Sequence, residues 1–293
     1  MKQLSLPPHG AADVFFTCVN AVPDPLARAN YIANHHHMVE AISAYSAASQ
    51  EKTWCSLPRA AWGQAEAIVV GSLSKSNLTD LYSSYMVPTS MAARATYDEI
   101  MVAANGKCPF CGGVGIVTTL DHYLPKSGFP LYSVLPANLV PCCKDCNTGK
   151  SSSFGVQPGQ QPLHPYLDDP KFFNERWIYA TVQNGNPIGL QYICAPPQTW
   201  QPVERERLLS HFIDYNLAYR YSVLAGAELA KVIDSRKGSL RNLSPEGFQA
   251  HLAEGAASQW FDVNGWNRTM YHALAHTPWF YNASFELSAP VPL

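Results

Sequence analysis

Two cysteine pairs carry the most specific chemical signal in this sequence. Cys108 and Cys111 form one C-x-x-C knuckle, and Cys143 and Cys146 form another. Each knuckle can present two sulfurs from a tight turn, and two knuckles complete the tetrahedral four-thiolate set that holds zinc. Cys142 competes for the second pair, but the two-residue gap before Cys146 favours Cys143. Gly112 and Gly113 follow the first pair, where the backbone needs angles that other residues resist. Roughly 30 residues separate the pairs, more than a compact zinc ribbon uses, so a further element is looped between them. Four thiolates leave a bound zinc no open position, so the ion would be structural and any chemistry would lie elsewhere.

The remaining candidates sit between or beside the pairs. The run "TTLDHYLPKSG", Thr118 to Gly128, places Asp121 directly before His122 in a strand-like stretch. Asn138 follows, and Asn147 comes directly after Cys146, where "CNTGKSS" reads as the start of a short helix. A neutral imidazole can take a proton from water near physiological pH. A hard divalent cation held by oxygens can neutralise a phosphate and its departing oxygen. Neighbours in a strand point to opposite sides, so the acid could face an ion while the imidazole faces a substrate.

The series Asp121-His122, Asn138-Leu139 and Cys146-Asn147 with Lys150 resembles the HNH endonucleases, the ββα-metal nucleases, in their four-cysteine, zinc-stabilised form. "LHPYLDDP", Leu163 to Pro170, is similar to a run that often follows this module in bacterial HNH proteins. The resemblance covers about residues 108–169. The flanks are more weakly similar to bacterial HNH proteins of comparable length, some of them in phage-defence operons. It implies a phosphodiester hydrolase acting on DNA more than RNA, with structural Zn²⁺ and catalytic Mg²⁺ or Mn²⁺. His122 would be the general base, and Asn138 would brace the loop and orient it. Asp121 and Asn147 would bind the catalytic ion, and Lys126 and Lys150 would contact phosphate. Asn147 departs from the histidine usual at that position. A neutral amide is a weaker ligand and favours Mg²⁺ or Mn²⁺ over softer ions.

Around this region the sequence predicts an α+β protein, mostly helical, carrying the zinc-stapled ββα module. Three regions are expected: N-terminal helices over 1–104, the module over 105–170, and a hairpin with C-terminal helices over 171–293. Asp24 and Pro25 suit the start of a helix over 24–50, with Leu26, Ile32, Val39, Ile42 and Tyr45 as its buried stripe. Helical patterning returns in "LTDLYSSYM" and over Met91–Ala104, and Asn105-Gly106 ends it. "RWIYATVQNGNPIGLQYICA" predicts a hairpin about its Asn-Gly pair. One long helix is expected after Pro202, with Leu208, Phe212, Tyr215, Tyr219 and Leu224 near one face, and two shorter helices follow.

Composition limits the partners. Hydrophobic residues make up 47 % of the 293, enough for a packed core, while charged residues reach only 14 %. That is well below the roughly 25 % of an average soluble domain. A net charge of −2 speaks against a general nucleic-acid coat, which needs clustered Lys and Arg. A protein partner or a second copy is therefore expected to deliver or regulate the nuclease. No apolar run reaches the length of a membrane span, and "MKQLSLPPHG" lacks a signal-peptide core. The cytoplasm is the expected location. There the 8 cysteines would be thiols or ligands, with Cys18, Cys55 and Cys194 as small apolar residues.

Other features are weaker. Consecutive helical residues point about 100° apart, so His35–His37 cannot share one ion and should form an exposed turn. His164 and Asp168 suit either support of the site or contact with DNA, or else a turn with a capping aspartate. His272 and His276 have ligand spacing but no third ligand. Arg236, Lys237 and Arg241 form a basic cluster that suits a phosphate backbone or an ordinary helix end. A competing function is a zinc-stabilised module that binds nucleic acid or protein without cutting. Such a module needs the cysteines but has no use for Asp121, His122 and Asn147 together.

Overall fold

The computed structural model describes residues 1–150 and 154–285. In chain order it contains α1 (Ala11–Asn20), α2 (Pro25–Ala33), α3 (His35–Glu51), β1 (Ile68–Val70), β2 (Leu73–Ser74), α4 (Lys75–Ser83) and α5 (Arg94–Ala103). Next come β3 (Val117–His122), β4 (Leu139–Cys143), α6 (Lys144–Lys150), α7 (Lys171–Asn174), β5 (Ile178–Gln183) and β6 (Gly189–Cys194). The chain continues through α8 (Pro202–Asp214), α9 (Leu217–Lys237), α10 (Pro245–Ala257), α11 (Trp266–Ala275) and α12 (Pro278–Tyr281). The class is α+β, with helices dominating and, among the described residues, three separate two-stranded antiparallel sheets.

Local chemistry explains several boundaries. Asp24 caps α2 by accepting from the Leu26 and Ala27 amides at 3.1 and 3.3 Å. Ser74 and Asn77 form a reciprocal capping box at the start of α4. The helix expected over 24–50 breaks at Asn34, whose side-chain amide donates to the Asn30 carbonyl at 2.8 Å and to Ser72 Oγ at 2.9 Å. The break changes the buried face. Leu26, Ile32 and Val39 are exposed, and the apolar contacts come from Tyr31, Met38, Ala41, Tyr45 and Ala48. The helix expected after Pro202 also breaks, at Asn216, which adopts a left-handed φ of 49°. Tyr219 is consequently exposed, and α9 buries Leu217, Tyr221, Ala225 and Leu229 instead.

The chain forms two compact units rather than the three expected regions. One comprises Lys2–Asp169 with Gln201–Tyr215; the other comprises Pro170–Trp200 and the chain from Asn216 onward, with Met1. The boundary expected near residue 104 is absent because a lone hairpin cannot bury its own apolar face. Leu120 of β3 and Leu139 of β4 join one apolar cluster with Val14, Leu78, Leu81, Tyr97 and Ile100 of the N-terminal helices. Tyr97 Oη also accepts from the Leu120 amide at 3.3 Å.

Helix α8 joins the same unit through Arg207. This residue is 2 % exposed, and both Nη atoms donate to the Asp168 carboxylate at 2.7 Å. It also donates to the carbonyls of Gln161 and Pro162. Burial pushes the Asp168 pKa up, but the adjoining guanidinium outweighs it and holds the carboxyl below its ordinary range. Arg207→Met would leave that carboxylate buried and unpaired, so it should cost about 3–5 kcal/mol. A corresponding fall in the urea midpoint checks this; an unchanged midpoint contradicts it.

In the second unit β5 and β6 pair in register from Ile178↔Cys194 to Gln183↔Gly189, the hairpin expected around Asn184-Gly185. Asn264, fully buried, fixes the start of β5 by accepting from the amides of Trp177 and Ile178 at 2.9 and 3.1 Å. Phe248, Leu252, Met270, Leu274 and Phe280 fill the space among α10, α11 and α12.

Candidate functional site

Strands β3 and β4 pair antiparallel, with Asp121 opposite Val140 and His122 opposite Leu139. Cys143 ends β4, and α6 begins at the next residue, so Cys146 lies in its first turn. Cys108 and Cys111 occupy the turn before β3, where Gly112 and Gly113 take φ of 62° and 80°. The four thiols are buried, and their sulfurs all lie within 4.8 Å of one another. Cys111 Sγ and Cys143 Sγ stand 4.0 Å apart. Zinc–thiolate bonds of about 2.3 Å set tetrahedral sulfurs about 3.8 Å apart, so the group suits such an ion. Cys142 is outside the four, with its thiol against the Cys143 carbonyl at 3.3 Å. That resolves the choice between the adjacent cysteines.

Asp121 and His122 leave β3 in different directions. Asp121 Oδ2 accepts from Lys150 Nζ of α6 at 2.8 Å. Burial raises the carboxyl above its ordinary pKa, with Lys150 opposing the shift. The imidazole of His122 instead packs edge-on against Tyr82 of α4, with centroids 4.4 Å apart. Its Nε2 meets the Ser133 carbonyl at 2.8 Å. A carbonyl only accepts, so Nε2 carries the proton and Nδ1 keeps its lone pair. Burial holds the His122 pKa down at about 3, and the imidazole is neutral.

Asn138 is fully buried and braces the loop after β3. Its Oδ1 accepts from the Leu124 amide at 2.8 Å, and its Nδ2 donates to the carbonyls of Leu124 and Tyr132 at 3.1 Å. The expected bond orienting His122 comes from Ser133 rather than Asn138. The loop Asn138 braces carries that carbonyl, so its effect on the imidazole is indirect. Lys126 donates to Ser83 Oγ at 2.7 Å and lies over the Tyr82 ring, which the His122 imidazole also meets. Its half-buried ammonium has a pKa lowered by desolvation.

Lys150 differs more from its expected role. It is 5 % exposed and donates to Asp121 and to the His122 carbonyl, so it joins α6 to β3 rather than projecting toward a phosphate. Asn147 is half-buried, three residues earlier on α6 and hence on a neighbouring face. A carboxylate and an amide oxygen are the donors a hard divalent cation takes. An ion at Asp121 would share that carboxylate with the Lys150 ammonium.

His164 and Asp168 form a turn and a buried support together. Asp168 accepts from the His164 amide at 2.6 Å. His164 Nδ1 accepts from the Tyr166 amide, and Nε2 faces the Tyr45 hydroxyl at 3.0 Å. Tyr45 in turn lies 3.4 Å from Asn138 Oδ1. His211 of α8 accepts from the Leu163 amide through Nδ1 and donates to the Phe110 carbonyl through Nε2 at 2.7 Å. Arg207, Tyr82 and Ser133 escape sequence reasoning because each acts on a partner distant in the chain or through its backbone; Tyr45, expected only as a buried apolar residue, also meets His164 and Asn138 through its hydroxyl.

Burial depresses His164 and His211 to about 3. Unfolded histidine titrates near 6.5, so the unfolded chain binds more protons between the two values. The stability from these neutral rings is present above about pH 6.5 and is lost as pH falls toward 3. Each can contribute a slope of up to about 1.4 kcal/mol per pH unit. Urea midpoints should therefore drop steeply between about pH 6.5 and 5. A flat profile would contradict the neutral assignment.

The weaker sequence features resolve structurally. His35 and His36 are exposed on α3, and His37 is half-buried, 3.2 Å from Glu40. Arg236 is buried and donates to the carbonyls of Leu240 and Leu243, closing the end of α9. The His272 and His276 rings stack at 4.0 Å.

Fold and site together define a mostly helical α+β protein whose hairpin and short helix bear a buried four-cysteine group able to hold a metal ion. The chain is 31 % identical over 293 residues to Protein ea31 of Escherichia phage lambda, covering 96 % of this chain and 99 % of that protein. It belongs to the Protein ea31 family. No family model matches the chain, and no solved structure does. Among the described residues, no helix is long and apolar enough to cross a membrane.

Proposed function

We propose that the chain is a metal-dependent HNH endonuclease that hydrolyses DNA phosphodiesters. The observation that carries the proposal is the placement of His122. A neutral imidazole, tethered through Nε2 to Ser133, ends β3 beside Asp121, while α6 carries Asn147 and is tied to the hairpin by the cysteine group. His122 Nδ1 takes the proton from water as the water oxygen attacks phosphorus and the 3′ oxygen departs, with the bound phosphate's negative charge raising the pKa that burial holds at about 3 in the free protein. Cys108, Cys111, Cys143 and Cys146 hold structural zinc. Asp121 and Asn147 hold Mg²⁺ or Mn²⁺, which when bound supplies charge against the phosphate and leaving oxygen. Lys126, over the Tyr82 ring that the imidazole also meets, supplies a positive charge for the phosphate. Lys150 sets the carboxylate of Asp121.

The low charge favours delivery to DNA by a protein partner or a second copy, in the cytoplasm. An effector role in anti-phage defence, implied by the flanks, belongs to the same proposal. The Lys150–Asp121 pair favours one alternative, a zinc-stabilised binding module whose acid is purely structural. Supercoiled plasmid incubated with the purified chain separates the two. Nicking or linearisation with Mg²⁺ or Mn²⁺, stopped by EDTA, is expected of the nuclease. Salt-sensitive DNA binding without cleavage in any divalent ion would favour the binding module.

A further inference from the structure

The unit that holds neither the cysteine group nor His122 has a basic cavity of its own. About 310 Å³ of space is lined by Asn174, Arg176, Arg268, Thr269 and His272, among others, with no carboxylate among the described residues of its wall. Arg268, Thr269 and His272 belong to α11, and the spacing of four residues puts Arg268 and His272 on one face. Arg176 enters from the segment just before β5, and Asn174 ends α7.

Each guanidinium is poorly matched within the protein. Arg176 spends Nε on the Ile178 carbonyl at 3.3 Å and lies against the Tyr179 ring. Arg268 has one long contact, 3.5 Å, to the Phe261 carbonyl. Among the described residues neither forms an ion pair, whereas Arg94 and Arg207 both meet carboxylates. Desolvation and the nearby Arg268 charge both lower the Arg176 pKa, so the two cations repel across the cavity. Thr269 is the second, independent observation. The residue is 1 % exposed and lines the cavity, and among the described residues its Oγ1 has no hydrogen-bond partner.

We infer that this cavity binds a phosphate monoester through its terminal phosphoryl group. Two guanidiniums offer forked donors matched to phosphoryl oxygens and offset a dianion. A χ1 turn of Thr269 presents its unpartnered hydroxyl to the phosphoryl group, and Asn174 and His272 supply further polar contacts. The volume lies at the small end of ligand pockets, which suits a phosphoryl group and a compact ester portion. The ligand is a free mononucleotide-sized ester or the 5′-phosphorylated end of an oligonucleotide, two sources of one chemistry.

Calorimetric titration of the full chain tests this with inorganic phosphate, sulfate, a nucleoside 5′-monophosphate and a 5′-phosphorylated dinucleotide. The expected result is one-to-one binding of the monophosphate, tighter than sulfate and lost from the dinucleotide once its terminal phosphate is removed. A dinucleotide weaker than the mononucleotide identifies the free ester as the source; the reverse order identifies the phosphorylated end. Arg268→Ala should weaken binding about tenfold or more, the worth of a charge-assisted contact. Thr269→Val keeps the side-chain shape and should weaken it too, and it carries the test if Arg268→Ala fails to fold. No binding, equal binding of sulfate and monophosphate, or full affinity in folded Thr269→Val overturns the inference.

Discussion

Cys108→Ser should strip the metal from the protein and unfold the hairpin region. The thiol is fully buried, and its sulfur lies within 4.8 Å of the three others. A serine hydroxyl does not replace a thiolate in a four-sulfur zinc set. Apparent binding energies for structural zinc reach about 10–16 kcal/mol, comparable to the about 5–15 kcal/mol that keeps a domain folded. The hairpin has little else of its own: two short strands whose apolar face depends on neighbouring helices. Metal analysis should find about one zinc per wild-type chain and none in the variant, with loss of cooperative thermal unfolding. Cys55→Ser, outside the four, is the matched control and should retain the ion. Full metal content and an unchanged melting curve in Cys108→Ser would refute the clamp.

His122→Ala should act on turnover and leave the clamp alone. Among the described residues the imidazole meets the Tyr82 ring and the Ser133 carbonyl, and it has no hydrogen bond to any of the four thiols. Removing a positioned general base typically costs about 10²–10⁴-fold in rate. The variant also opens a gap beside Tyr82, so some stability is lost; cleavage should be compared well below the melting transition. Zinc content should match wild type. If alanine lowered zinc content and cleavage together, the histidine would be structural rather than chemical.

The cysteine knuckles, the order strand, strand, helix, and the hairpin at Asn184-Gly185 are legible because their determinants are local. C-x-x-C spacing fixes a turn, Asp24 caps the helix it precedes, and alternating residues set a strand. The breaks at Asn34 and Asn216 are not legible in the same way. At Asn34 the side-chain amide donates to the local Asn30 carbonyl and also to Ser72, and the second partner lies 38 residues away. The apolar periodicity on either side then belongs to two helices of different phase. The site was legible in its residue types but not in its partners. Asp121 and His122 do face different neighbours, but the acid meets Lys150 and the imidazole meets a backbone carbonyl, which no side-chain pattern encodes. Arg207 looks like one charge in a charged helix until Asp168 is set against it in space. The run "LHPYLDDP" matters through that contact, since His164 and Asp168 together link Tyr45 and Arg207 in a buried network.

The rate of supercoiled-plasmid conversion in Mg²⁺ or Mn²⁺, measured for wild type and His122→Ala at equal zinc content, tests the central claim most directly. Wild type should nick or linearise the plasmid only when the divalent ion is present, and the folded alanine variant should be slower by about a hundredfold or more. Equal rates in the two proteins would contradict a base at His122.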